Sequence, residues 1–425
     1  MMKKTNVFPI HYGWLVLAMG TLGVFGALGL ARFGYTTVLP SMQGDLGLNN
    51  EQAGLLATLN LSGYLALSII GGALAAKYGV RLTASLGLFL AGASMIFTGL
   101  AQGFGSLIIW RALTGIGSGA ANVSIMGLWP AWYSGNRRGF ASGIAVSGSS
   151  IALIFTGLVV PGILNVQGEG AWRTCWFLYG VITLLLALCS YLVLRNSASG
   201  IGLSLIGESG SLQLSPQSDK EHPDKKPKLQ WKRVYLSAPV WYLGIIYIAF
   251  GFSYIIYMTF FVKYLAADHG YTSVEAGNMF MLMGWFSLLC GLLWGAVSDR
   301  IGRKSTLIIL YLLNTVAFSL FAFGSTSYHL TLSAIIFGLS AWSIPAIMAA
   351  ACGDMLGREL APAALGFITL FFGIGQAAGP TVAGAIADAS GSFPSAFLLA
   401  SVVSLSGALG SALLIKNKAI YTKDS

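Results

Sequence analysis

Twelve apolar runs, each about 20 residues or longer and parted by short polar turns, leave this chain very few ways to fold. A run of that length crosses the hydrocarbon core of a bilayer as a helix, because backbone amides buried in lipid must find partners within their own segment. The expected fold class is therefore an all-α membrane protein with twelve transmembrane helices. Six fall near 14–40, 51–76, 82–101, 106–133, 139–164 and 172–194, and six more near 239–264, 274–298, 304–324, 329–353, 361–387 and 395–415. A polar stretch over 195–238, rich in Ser, Gly, Pro and mixed charge, divides the two sets. This predicts a six-helix bundle over 1–194, a linker over 195–238, and a second six-helix bundle over 239–425.

The charge pattern orients the helices. Only 9% of residues are charged and 56% are hydrophobic, against about 25% charged in soluble domains. A net charge of +10 would suit a polyanionic partner if it formed a patch. Instead every Lys and Arg except Arg32, Arg111, Arg173 and Lys263 falls on one side of the predicted topology. That is the positive-inside pattern. It places both termini and the linker in the cytoplasm of a cell whose inner membrane holds the chain, and it removes the case for nucleic acid. No short apolar core with a cleavage site precedes the first span, so that span is expected to remain as a helix. The four cysteines, Cys175, Cys189, Cys290 and Cys352, sit in apolar runs without disulfide or metal-ligand spacing.

The two halves echo each other at one fixed separation. Gly54 recurs as Gly277, Gly72 as Gly295, Gly79 as Gly302, Gly115 as Gly338 and Gly143 as Gly366, all 223 positions apart. One offset across several helices argues for a parallel duplication, the arrangement that puts a substrate site near the midplane between two bundles.

Against that background Arg32 stands out. It lies about 12 Å inside Pro40 if the segment is helical, and a guanidinium at such depth costs on the order of 2.5–3.5 kcal/mol even on the lenient insertion scale. A polar cavity or an anionic ligand offsets that cost. On an α-helix Leu28, Gly29, Tyr35 and Thr36 share its face, which suggests one wall of a binding site. At the fixed offset Ile255 stands opposite Arg32, so the expected site is asymmetric.

Gly295-Ala-Val-Ser-Asp-Arg-Ile-Gly-Arg-Lys304 resembles the loop signature of the major facilitator superfamily, and the six-plus-six plan is similar to that superfamily over essentially the whole chain. The resemblance implies a gate built from Asp299, Arg300, Gly302 and Arg303, with Asp299 pairing neighbouring basic groups and a helix N-terminus. The first-half copy has Ala76 in place of the acid but keeps Lys77, Gly79 and Arg81. Arg111-Ala-Leu-Thr-Gly-Ile-Gly-Ser-Gly119 resembles the family's fourth-helix motif, whose arginine implies a possible coupling role for Arg111. Arg138-Gly-Phe-Ala-Ser-Gly143, Ile201–Glu208 and His11–Trp14 are similar to stretches of bacterial oxalate/formate antiporters and monocarboxylate porters. Ala31–Pro40 is similar to bacterial facilitators with an arginine in the first helix.

Candidate cavity residues in the second half are Tyr254, Tyr257, Asn278, Trp285, Trp342, Phe372 and Gln376. Asn278 and Trp285 share one face and Phe372 and Gln376 another. Asn60 and Asn122 are the matching hydrogen-bonding candidates in the first half. Aromatic walls with a few amides suit a small organic ligand carrying one charge. None of the fourteen acids lies deep in a span, which argues against a cation or multidrug exporter. No His, Cys, Asp or Glu grouping forms a catalytic or metal site, so neither an enzyme nor a cofactor is expected. The expected function is secondary transport of a small carboxylate-type anion, with the substrate and the lipid bilayer as partners and a monomer as the working unit. The alternative is an exporter of a neutral or amphiphilic compound, with Arg32 structural.

Overall fold

The computed structural model describes residues 11–414 except 136, 169 and 209–233. Twelve long helices follow in order: α1 (Tyr12–Leu46), α2 (Asn50–Tyr78), α3 (Val80–Leu100), α4 (Phe104–Met126), α5 (Arg138–Gln167), α6 (Ala171–Val193), α7 (Ala238–Ala267), α8 (Ser273–Ile301), α9 (Arg303–Phe323), α10 (Ser327–Gly357), α11 (Ala363–Ser390) and α12 (Pro394–Leu413). Ten are long and apolar enough to span a membrane, and α2, bent by 46° near its middle, makes eleven. The remaining helix, α4, has the length but carries Arg111 and a run of Gly and Ser.

The duplication governs local detail. α2 and α8 begin and end at matched positions, as do α3 and α9. Both α2 and α8 open with a capping box, Asn49 with Gln52 and Thr272 with Glu275, which satisfies two orphan backbone donors reciprocally. Arg81 donates to the carbonyl of Tyr191 at 2.6 Å, and Lys304 to the carbonyl of Leu414 at 2.7 Å. Both donor and acceptor are shifted by the same 223 positions. A cation in each half therefore neutralises the C-terminal end of the last helix of that half.

Glycine sets how closely the halves meet. Near the α1–α2 and α7–α8 turns, Gly54 of α2 lies against Pro380 of α11, and Gly277 of α8 lies against Gly157 of α5. Gly54 and Gly277 are repeat partners, and so are Gly157 and Pro380. A side chain at either glycine would collide with backbone across the junction. At the opposite end, where the linker enters, Gly72, Gly143, Gly295 and Gly366 face open space. The halves thus pack closely at Gly54 and Gly277 on the far side and make no such contact at these four linker-side glycines.

Two features depart from expectation. Residues 195–208, assigned by sequence to the linker, dock on the first half: Trp132 Nε1 donates to Arg195 O at 3.0 Å, Ala198 N to Ala131 O at 3.1 Å, and Ile206 N to Trp132 O at 3.0 Å. The rest of the linker lies mostly outside the described residues. Within α1, the stretch Phe25–Phe33 is a π-helix, which widens each turn and changes which residues share a face.

Candidate functional site

Arg32 sits at the end of the π-helical stretch, half-buried at the seam between the halves. Its guanidinium carbon lies 4.5 Å above the ring of Tyr64 on α2, a contact that steadies a cation without neutralising it. Nη1 donates to the hydroxyl of Tyr254 on α7 at 3.4 Å. Nη2 is buried without a partner. Gln376 of α11 also donates to the Tyr254 hydroxyl, and Asn122 of α4 donates to the Tyr64 hydroxyl at 2.8 Å. Arg32, Tyr254 and Gln376 are thus brought together, and Asn122 joins them through Tyr64. Phe372 stacks on Tyr254 with ring centres 5.8 Å apart, and on Tyr247 at 4.6 Å. Trp342, in a break of α10, touches Phe33 of the first half and Phe337 of the second edge-on.

Tyr64 is the residue the sequence reasoning passed over. It lies four residues from Asn60 on α2, so the i, i+4 rule applied to Asn60 finds it.

The neighbours expected on the face of Arg32 are engaged in packing. Tyr35 donates to Ala53 O at 2.8 Å and Thr36 to Met258 O at 2.7 Å, while Gly29 packs against Ala152. Tyr35 and Thr36 keep their hydroxyls in helix-to-helix bonds and border only a small pocket beside Arg32, shared with Asn60 and Arg111. Asn60 is spent on the carbonyl of Arg111 at 3.1 Å.

Three second-half candidates require correction. Tyr257 is buried among Phe318, Phe321 and Phe337 and bonds Ser333 at 2.7 Å, so it belongs to the core of its own half. Asn278 and Trp285 are exposed on the stripe of α8 that also shows Val274, Leu289 and Leu293. The packed face of α8 is instead the one with Gly277 and Gly284, which lie against Pro161 and Ile154 of α5. Small residues mark the helix-facing side of a membrane helix, and the large apolar ones face lipid.

Arg111 is 1% exposed. Its guanidinium is sandwiched between the rings of Tyr35 at 4.6 Å and Trp176 at 5.1 Å, Nη1 donates to Ala31 O at 3.0 Å, and Nε is unpaired. At the linker side Arg303 binds Asp299 at 2.7 Å, Ser298 at 2.7 Å and Asp354 at 3.1 Å. Gly302 makes the turn before it with φ of 85°, and Arg300 is exposed. A larger cavity of about 510 Å³ opens on the far side between α1, α5, α7 and α8. Its acid, Asp45, is already held by Trp172 at 2.8 Å and Arg173 at 3.6 Å.

Two repeated helix bundles meet around an embedded cation. The chain belongs to the major facilitator superfamily: residues 24–411 match the family described as uncharacterised MFS-type transporter YbfB. It is 22% identical over 396 residues to a probable sulfoacetate transporter, SauU, of Cupriavidus necator, covering 89% of each chain. It is 25% identical over 387 residues to the hexuronate transporter of Bacillus subtilis, covering 87% of each. Its fold is similar to a D-xylose–proton symporter, with a TM-score of 0.75 at 15% identity over 95% of this chain and 98% of that one. It is also similar to a bacterial Spinster homologue described as inward-facing and unoccupied, with a TM-score of 0.69 at 17% identity over 95% of each.

Proposed function

We propose that this protein carries a small organic anion, a carboxylate or sulfonate, across the inner membrane by alternating access, with Arg32 as the anchor of the anion. The observation that carries the reading is the unpaired Nη2 of Arg32 at the seam of the two halves. A guanidinium offers parallel N–H donors matched to a carboxylate or sulfonate, and an anion there would satisfy a donor the protein leaves unmet. Sulfoacetate and hexuronate, named for two relatives, are both carboxylates, which supports the same class. Tyr64, Asn122, Tyr254 and Gln376 orient the guanidinium, and Phe372 and Trp342 shape the wall around the organic part. With the basic side in the cytoplasm, the parted ends face inward.

The test is a thermal-shift screen of purified protein and of Arg32→Ala against small carboxylates, sulfonates, amines and neutral metabolites. Stabilisation by anions that disappears in the variant supports the reading. Stabilisation by neutral compounds in both proteins would instead select the exporter of uncharged cargo, with Arg32 structural.

A further inference from the structure

We propose that the carrier is an obligatory anion exchanger: its empty form does not cross between the two access states, and the returning anion, not a protein-borne proton, completes the cycle. This rests on the organic-anion reading of the Arg32 site.

Two guanidiniums, Arg32 and Arg111, border one small pocket. Each has a nitrogen buried without a partner, Nη2 in Arg32 and Nε in Arg111. Among the described residues Arg111 is the only ionisable acid or base of Asp, Glu, His, Lys or Arg that is fully buried, and no carboxylate pairs with either arginine. The titratable groups facing them are phenols alone: Tyr64 and Tyr254 on Arg32, Tyr35 on Arg111. Carboxylates of the described chain sit at helix ends, for example Asp45 with Arg173, Asp299 with Arg303, and Asp388 on the first turn of α2. No acid near the arginines can therefore take up a proton on one side and release it on the other.

An unpaired cation is tolerable while water reaches it. With the linker side open, Arg32 keeps part of its side chain exposed, although Nη2 is already shut off. To change access, the parted ends carrying Gly72, Gly143, Gly295 and Gly366 must close before the far-side contacts at Gly54 and Gly277 release. Both ends are then shut, and Arg32 loses its water with no negative charge to replace it. A bound anion removes that barrier. It also reaches both halves, since Arg32 belongs to the first and the Tyr254–Gln376 pair to the second.

The experiment uses the full-length protein in liposomes, with valinomycin and potassium holding the membrane potential at zero. Labelled sulfoacetate, galactonate, glucuronate, oxalate and benzoate are offered to vesicles loaded with the same unlabelled anion or with buffer. Sulfoacetate keeps its charge between pH 6 and 8, since its carboxyl titrates near the ordinary carboxylate range of about 4, so a proton gradient can be imposed without altering the substrate. The expected result is uptake at least about 10-fold faster into loaded vesicles, equivalent to about 1.4 kcal/mol of barrier for the empty carrier, and no accumulation driven by outside acid. Net filling of buffer-loaded vesicles within about twofold of the exchange rate, or accumulation driven by a proton gradient, overturns the exchange proposal while leaving the anion reading intact. Failure of every anion to exchange, with binding unchanged in Arg32→Ala, overturns both.

Discussion

Arg32 Nη1 of the first half lies 3.4 Å from the Tyr254 hydroxyl of the second, so this cation is tied to both halves of the molecule. The same hydroxyl also takes a bond from Gln376, which leaves it a position-setter for the guanidinium.

Tyr254→Phe should keep the aromatic stack with Phe372 and lose only the hydroxyl. Hydrogen bonds to charged groups contribute about 1.5–3 kcal/mol, so anion affinity should fall roughly 10- to 100-fold with little change in melting temperature. Equal affinity in the variant, measured by titration of the purified protein, would remove Tyr254 from the site.

Tyr64 separates two effects of one residue. Tyr64→Phe retains the face under Arg32 and loses the bond from Asn122, whereas Tyr64→Leu loses both. A cation–π contact is worth about 0.5–2 kcal/mol, so the leucine variant should bind anions several-fold more weakly than the phenylalanine variant. Identical affinities would show that the ring does not hold the guanidinium in place.

Contact between the halves on the far side rests on bare backbone at Gly54. Gly54→Leu puts a side chain into Pro380 and should prevent the halves from meeting there. Labelling of a cysteine placed on the far-side cavity wall, for instance at Ser41, should rise in this variant and transport should cease. Unchanged labelling would contradict the assignment of this contact to gating.

Asp388 supplies a polar counterpart to that contact. Its carboxylate accepts from the backbone N–H groups of Asn50 at 3.0 Å and Glu51 at 2.8 Å, across the halves and at the positive end of α2. Asp388→Ala should shift the population toward far-side opening by about 0.5–2 kcal/mol, the usual worth of an N-terminal cap. Spin-label distances across the α2–α11 junction report this directly, and an unchanged distance distribution would exclude the latch.

The repeat was legible in the sequence because close helix approach forbids a side chain: the glycines matched at one offset include those that make the far-side contacts. Helix positions and the depth of Arg32 followed from apolar run length for a similarly direct reason. The faces of α8 were not legible. Lipid and protein interior are both apolar, so hydropathy cannot tell the Trp285 stripe from the packed one, and only the spacing of Gly277 and Gly284 marks it. Nor does local sequence announce the π-helical stretch from Phe25 to Phe33, or that Tyr35 and Thr36 spend their hydroxyls on helix-to-helix bonds while Arg32 meets Tyr64 and Tyr254.

The central claim is that Arg32 binds the anion, and equilibrium binding of the most stabilising anion from the thermal screen tests it most directly. Wild type, Arg32→Lys and Arg32→Ala would be compared at low and high salt, with circular dichroism confirming that all three are folded. The account predicts a loss of about 100-fold or more in Arg32→Ala, matching two charged hydrogen bonds of about 1.5–3 kcal/mol each, and partial recovery in Arg32→Lys, which restores the charge but not the fork. An unchanged dissociation constant in the folded Arg32→Ala protein would contradict it.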